Sequence, residues 1–568
     1  MQSHVVVAVQ TIAACVRPRR VSSGLVGLIA LLFACAPAVA SHYNIRDYGA
    51  VPDGVTLSTA AINRAVEAAV KGGGGTVFVP AGRFLTGTIY LRSHVTLQLE
   101  EGSVLLGSTE MKDYPENPAP PLDDSVADRR VRHLYPHNLE FGRYSLVYAA
   151  GQEDVAITGA GTIIGQGSHP NLSKQALRQH GMSERDAYLK RPYGFCFVGC
   201  TNVRVSGVTF VDMAFWCQDY LNCDRVEVKG VTVDSRKNDA NNDGIDIDGS
   251  KHVRVDDCRL NAGDDAICLK AALRDCEDVR ITNCVCSSLA NGVKFGTASN
   301  GGFRNITVSG ITMHDVNGAG LALEVVDGGT LDGVEVSDIT MSNVGAAFFV
   351  RLGDRGEHWM KPEDKAVGIL RNVTISRVTA TVYCPVDARP FSSSVTGLPG
   401  HPVENVTLRD IKITNMRPHP AAEAEAITIA AIGEHADEYP EFSMFGALPS
   451  HGLFLRHVRG VSVSNLTVDC KDADFRSAVV CDRVEDVAFD GLRTTVAPGA
   501  QPVVSLHNVR GVKLSGGRAP VGTATFLRVD GQSSGVVMRN CDLSTAQTGV
   551  LLGDGLPAET VVVARGDP

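Results

Sequence analysis

From residue 144 onward the chain repeats a short phrase: a turn-forming or polar residue, then Val or Ile, then a second apolar residue two places on. Asp154-Val155-Ala156-Ile157, Asn202-Val203-Arg204-Val205, Arg225-Val226-Glu227-Val228 and His252-Val253-Arg254-Val255 are early copies. Asp278-Val279-Arg280-Ile281, Asn305-Ile306-Thr307-Val308 and Gly333-Val334-Glu335-Val336 continue the series. Anchors from Val203 to Val334 lie 23, 27, 26, 27 and 28 residues apart. Later ones at Val373, Val406, Val461, Val487 and Val512 follow longer insertions. Alternation within each copy turns one face inward. A period near 25 with several short strands and turns predicts an all-β chain, a single-stranded right-handed parallel β-helix. A leucine-rich repeat would show LxxLxL, and a propeller needs roughly 40–50 residues per blade. Residues 354–366 and 418–449 are the strong interruptions, expected as loops over the groove or its edge.

The composition agrees. Only 20% of residues are charged and Gly numbers 58, which favours a turn-rich β protein. A net charge of −10 offers no broad basic surface, arguing against nucleic acid or an anionic membrane as partner. Before the repeats, Ser58 or Thr59 can cap a short helix carrying Ile62, Val66 and Val70 on one face, ended by Gly72 to Gly75. A helix there would cap the open end of a solenoid. The first forty residues read as a signal peptide: Arg17-Pro18-Arg19-Arg20, an apolar run from Leu25 to Phe33, and Ala38-Val39-Ala40 before Ser41. Leu32-Phe33-Ala34-Cys35 matches a lipoprotein signal only loosely, because of Phe33. The expectation is a secreted or periplasmic chain with no membrane span, residues 41–568 forming one β-helix domain: a cap at 41–107, site-bearing coils at about 195–330, and C-terminal coils carrying the long loops.

Thirteen of the 15 Cys lie beyond residue 40, an odd number at irregular spacing. Most, such as Cys258, Cys268, Cys284 and Cys541, sit in strand-like contexts where a thiol packs as a small hydrophobe. Cys217–Cys223 or Cys196–Cys200 could pair, although spacing alone does not set connectivity. No arrangement suggests zinc, and neither metal nor cofactor is expected.

Within the repeats, two acidic clusters share one frame. Asn242-Asp243-Gly244-Ile245-Asp246-Ile247-Asp248 superimposes on Gly263-Asp264-Asp265-Ala266-Ile267-Cys268-Leu269-Lys270 at an offset of 22, setting Asp243 over Asp265. Asn291-Gly292-Val293-Lys294-Phe295 repeats the frame 26 residues on, with Asn291 over Asp265. Stacked strands would gather three carboxylates on one exterior patch roughly 10 Å tall. Adjacent carboxylates cannot both ionise cheaply, so one becomes an acid while another stays charged and polarises water. That is the equipment of glycosidic-bond hydrolysis. Asp-rich turns also satisfy backbone amides or bind Ca²⁺, but the shared register argues for a built site.

These motifs resemble glycoside hydrolase family 28, the polygalacturonase-like enzymes. Asn242-Asp243-Gly244 is similar to that family's Asn-Thr-Asp-Gly motif, and Gly263-Asp264-Asp265 to its Gly/Gln-Asp-Asp motif. Asp47-Tyr48-Gly49-Ala50, Phe78-Val79-Pro80-Ala81-Gly82, Phe215-Trp216, Gly301-Gly302-Phe303-Arg304-Asn305 and Glu438-Tyr439-Pro440-Glu441 extend the likeness over roughly residues 43 to 500. The resemblance implies inversion in one step, with Asp264 as general acid and Asp243 and Asp265 together as base on the attacking water. Two features depart from the family. Its His-Gly motif falls at Asn291-Gly292, and its carboxylate-holding Arg-Ile-Lys falls at Ala322-Leu323-Glu324. An anion thus stands where a cation bound an anionic sugar, a costly reversal if desolvated.

Other cations are at hand. Lys294 points outward by parity, over Cys268 and Asp246, with Glu324 a possible partner; Lys270 is also outward, its expected role a pairing with Asp246 or Asp248. Arg304, Asn291 and Trp216 are further candidates for substrate contact, and His252 reads as a surface residue. The leading expectation is an exported inverting glycosidase acting on a pectic or related uronic-acid-containing plant polysaccharide. The alternatives are a Ca²⁺-dependent β-helix lyase with Lys294 as base, or a carbohydrate-binding protein without catalysis.

Overall fold

A strand whose side chains alternate can bury one face only if something covers it, and here each strand is covered by the interior of its own coil. The computed structural model describes residues 41–118, 143–235, 241–272, 274–356, 366–383, 391–417 and 419–564. The signal-peptide reading and most of the loop at 354–366 lie outside them. Every pairing among the named strands is parallel, in three stacks. One stack runs from His42–Asn44 through Gly75–Val79, Val95–Leu99 and the anchor strands to Val561–Ala564. The anchors stand directly over one another: Val203, Val226, Val253, Val279, Ile306, Val334, Val373 and Val406 in succession. The result is the right-handed parallel β-helix that the period implies, each crossover taking the hand that a twisted strand prefers. Its core is one continuous column of Val, Ile, Leu and Phe.

The residue before the anchor has a structural reason. Asp154, Asn202, Asp278 and Asn305 adopt left-handed backbone with φ of 53–55° at the corner of the coil. Asn and Asp tolerate that conformation better than most residues. Their side chains also form a ladder: Asn202 Nδ2 donates to Asp154 Oδ1 at 3.0 Å.

Helix α1 (Thr59–Lys71) covers the N-terminal end, burying Ala61, Ile62, Ala65, Val66 and Ala69. Two expectations are corrected there. Val70 is 40% exposed, because Ala65 and Ala69 take the inner face. Ser58 occupies the N-cap position, yet its hydroxyl accepts from the Val51 amide instead of capping the helix. A further interruption was not foreseen: between strands Thr162–Ile164 and Tyr193–Val198 the chain forms two short helices, α2 (Lys174–Gln179) and α3 (Glu184–Leu189). Ser173 and Ser183 cap them through their hydroxyls.

The thiols at 196, 200, 217 and 223 are free and buried, so neither proposed disulfide forms. Instead Cys200, Cys223, Ser250 and Cys276 occupy one corner on successive rungs. Cys223, Ser250 and Cys276 each donate to a main-chain carbonyl of the preceding coil. Among the described residues no helix is long and apolar enough to cross a membrane.

Candidate active site

The site occupies one face of the stack formed by β1 (Gln218–Leu221), β2 (Ile245–Asp248), β3 (Ile267–Ala271), β4 (Val293–Ser299) and the C-terminal part of β5 (Gly302–Val325). Ile245 pairs with Ile267 and then Val293, and Ile247 with Leu269 and then Phe295, all facing the core. The residues between them face out. Asp219, Asp246, Cys268, Lys294 and Ala322 form one outward row. Asp248 and Lys270 belong to the next. Asp243, Asp265 and Asn291 stand at the entry to their strands: Gly244 N donates to Asp265 O, and Ala266 N to Asn291 O.

Asp264 is the half-buried member of the triad, whereas Asp243 and Asp265 are each 3% exposed. Asp264 accepts from the Asn241 amide at 2.8 Å and the Asp265 amide at 3.0 Å. Burial, with the Asp265 charge beside it, nevertheless raises its pKa above the usual carboxylate range. Asp265 goes the other way. Burial would raise it, but Lys294 and Lys270 outweigh burial, helped by the Asn291 amide and Nδ2 at 3.0 and 2.9 Å. Asp243 is driven well up by burial and by the neighbouring Asp246 and Asp264. Asp246, fully buried, is raised to about 7 by burial despite Lys270.

Lys270 Nζ is 2.9 Å from Asp246 Oδ1, 3.5 Å from Asp243 Oδ2 and 2.9 Å from Cys268 Sγ, and lies 4.4 Å from the centre of the Trp216 ring. The expected pairing with Asp246 is present. Asp248 instead accepts from the Ala272 amide. Lys294 Nζ approaches Asp265 Oδ2 at 3.4 Å and stands 5.5 Å from the centre of the Tyr439 ring. Glu324 is 1% exposed, and neither carboxylate oxygen has a hydrogen-bond partner. Burial lifts its pKa to about 8.

Part of this set lines a chamber of about 200 Å³. Its floor carries Asp219, Asp243, Asp264, Asp265, Lys270 and Lys294. Tyr188 from α3 and Trp216 stand on one side, Tyr439 and Arg355 on the other. Three sequence candidates are not part of the lining. Arg304 sits on the adjacent stack, paired with Asp275 at 2.9 Å; Asn291 and Glu324 lie beneath, spent on Asp265 and buried behind Gly296 respectively. Trp216 packs in an apolar cluster with Tyr193 and Phe215 and also faces the chamber, while His252 is a surface residue between Asp224 and Asp278.

No sequence motif pointed to Tyr188, Asn241 or Arg355, which come from insertions or turns without a repeat frame. The capping serines of α2 and α3 were the available signal for Tyr188. Tyr439 was visible only as part of a motif.

Asp243, Asp265 and Cys268 each bring one ligand atom within 4.8 Å of the others. The donor set does not suit Ca²⁺, which takes six to eight oxygens. The Lys270 ammonium beside Cys268 and Asp243 would also repel a cation there.

Comparison with known proteins follows the same residues. The sequence profile of glycosyl hydrolases family 28 matches residues 137–431, and that of rhamnogalacturonase A/epimerase, pectate lyase-like, matches 42–107. A probable polygalacturonase of Vitis vinifera is 26% identical over 416 residues, covering 70% of this chain and 79% of that protein. An exo-poly-α-D-galacturonosidase of Dickeya chrysanthemi is 28% identical over 268 residues, 42% of this chain and 43% of that protein. The family 28 exopolygalacturonase structure from Yersinia enterocolitica shares the fold with a TM-score of 0.54 at 18% identity, covering 85% of this chain and 79% of that one. With a family profile spanning more than half its length and the paired carboxylate motifs in register, the chain belongs to glycosyl hydrolases family 28 and is a glycoside hydrolase.

Proposed function

We propose that this chain is an exported, inverting hydrolase that removes terminal residues from pectic or related uronic-acid-containing polysaccharides. The observation that carries the reading is a walled chamber whose floor holds two adjacent carboxyls pushed in opposite directions, Asp264 upward by burial and Asp265 downward by the lysines beside it. Asp264, raised by burial and by Asp265, gives its proton to the leaving oxygen. Asp265, held ionised mainly by Lys294, takes a proton from the attacking water. Asp243, driven towards its neutral form, orients that water instead of sharing the role of base. Lys294 meets a sugar carboxylate in the chamber, while Lys270 and Asn291 hold the catalytic carboxyls in place.

The chamber's size supports terminal attack. At about 200 Å³ it is smaller than the roughly 300–1,000 Å³ of drug-sized ligand sites, room for one ring and not for a polymer segment. The names of the Dickeya and Yersinia relatives, both exo-acting on galacturonan, agree with that mode. Export rests on the basic, apolar and small-residue pattern of the first forty residues.

The test is product analysis on homogalacturonan and rhamnogalacturonan, following reducing ends and ultraviolet absorbance beside an Asp264→Asn variant. We expect inverted monomeric or terminal products without absorbance, and a kcat loss of about 10²–10⁴-fold in the variant. Unsaturated, absorbing products and sensitivity to EDTA would replace this reading with a lyase. Binding without cleavage would leave a carbohydrate-binding protein.

A further inference from the structure

Residues 429–446 cross the site as a strap, and the strap has no strand ladder of its own. Main-chain carbonyls in such a segment need partners when buried. Two arginines supply them. Arg351 and Arg456 are 1% and 2% exposed and stand in one outward row, separated by Thr396. Arg351 Nη2 donates to Glu434 O at 2.6 Å and His435 O at 2.9 Å. Arg456 Nη1 donates to Ile432 O at 2.8 Å, and its Nη2 to Ile429 O at 3.0 Å. Asp482, below, receives Arg456 Nε at 2.9 Å.

The strap's underside is apolar. Phe445 and Phe442 pack in a cluster with Ala322, Phe349 and Phe391. Ala322 is the position where the family motif places its Arg, so the small side chain lets the strap settle where a guanidinium would stand. At the far end Tyr439 accepts from Thr297 Oγ1 at 2.7 Å, beside Lys294 and Arg355.

We propose that Arg351 and Arg456 are positioning residues for substrate selection: they clamp the strap by its main chain so that Tyr439 forms the wall that restricts the chamber to a chain end. Neither needs to touch substrate. The planar fork of arginine holds two carbonyls in a fixed geometry, whereas the ammonium of lysine is a compact charge on a flexible stem that does not fix where they lie. The strands bearing both residues are paired above and below through their backbones, and lysine at either position keeps a positive charge beside the coil.

The inference rests on the terminal-attack reading, and its test separates the two. Hydrogen exchange and kinetics would be measured on the full chain and on Arg351→Lys, Arg456→Lys and Tyr439→Ala. In either lysine variant we expect amides of 429–441 to exchange roughly tenfold faster with the coil unchanged. KM should rise about tenfold with kcat within about threefold, and internal-cleavage oligomers should join the products. Tyr439→Ala should reproduce the KM and product changes while strap exchange stays as in wild type. Wild-type exchange in a folded Arg351→Lys, or unchanged KM and products in Tyr439→Ala, would overturn the proposal. If the wild type itself cuts internally, terminal attack fails and the wall goes with it. The exchange arm then still reports whether the arginines clamp the strap.

Discussion

Two buried lysines reach the chamber from neighbouring strands, and the difference between them separates scaffold from chemistry. Lys270 has two carboxylates and a sulfur within 3.5 Å and an indole face beside it. Lys294 has one carboxylate at 3.4 Å, a more distant phenol ring and an unpaired glutamic acid behind it. A cation whose donors are spent holds its neighbours still. One with coordination to spare can change partners when an anionic sugar arrives, and can tune the base it leaves behind.

The largest effect is expected from breaking the satisfied side. Lys270→Met strands Asp246, which is fully buried, and Asp243, which is nearly so. Removing one partner of a buried ion pair costs about 3–5 kcal/mol. Thermal unfolding should show a large drop in Tm, smaller at low pH where Asp246 is already protonated. A variant as stable as wild type at pH 8 would show that Lys270 is not the counter-charge of this cluster.

Lys294→Met tests the other side and should act on activity more than on stability. KM for a uronate substrate should rise about 10–100-fold, the worth of one charge-assisted contact of roughly 1.5–3 kcal/mol. Lys294 is also the main group holding Asp265 down. Its loss raises the pKa of the base, so the acid limb of the kcat/KM profile should move to higher pH. An unchanged acid limb would mean that Asp265 is not the base.

Much of this contrast could be read from the sequence. The spacing of the anchors dictated the stack, and the offset between the two acidic motifs placed Asp243, Asp265 and Asn291 on consecutive rungs. Parity alone put Lys270 and Lys294 outside. What stayed hidden depends on contacts between segments far apart in the chain. Arg351 and Arg456 look like ordinary outward residues of alternating strands, and only the strap lying over them makes them a clamp. The upward shift of Asp243 was hidden for a similar reason, since it comes first from its own burial and then from the charges of Asp246 and Asp264 beside it. Arg304 misled because a family motif marks a corner of the coil as readily as a site, and here its guanidinium is taken by Asp275.

The smallest effect on turnover is expected from Glu324→Gln, which sharpens the Lys294 side of the comparison. With a pKa of about 8, Glu324 is largely neutral below pH 7, and glutamine copies its shape and neutrality. At pH 6, kcat/KM should stay within about twofold of wild type, because an uncharged neighbour leaves the Lys294–Asp265 pair as it was. Stability should respond to pH instead. In the unfolded chain the carboxyl ionises near its ordinary 4.5, whereas the folded protein keeps the proton to about 8. Wild type therefore loses stability as pH rises from about 4.5 to 8, while Glu324→Gln escapes that loss. Melting curves should nearly coincide at pH 4.5 and separate in favour of the variant by pH 8.5. If instead the variant is the less stable at pH 8.5, Glu324 is an ionised partner of Lys294, and Lys294 would be as fully engaged as Lys270.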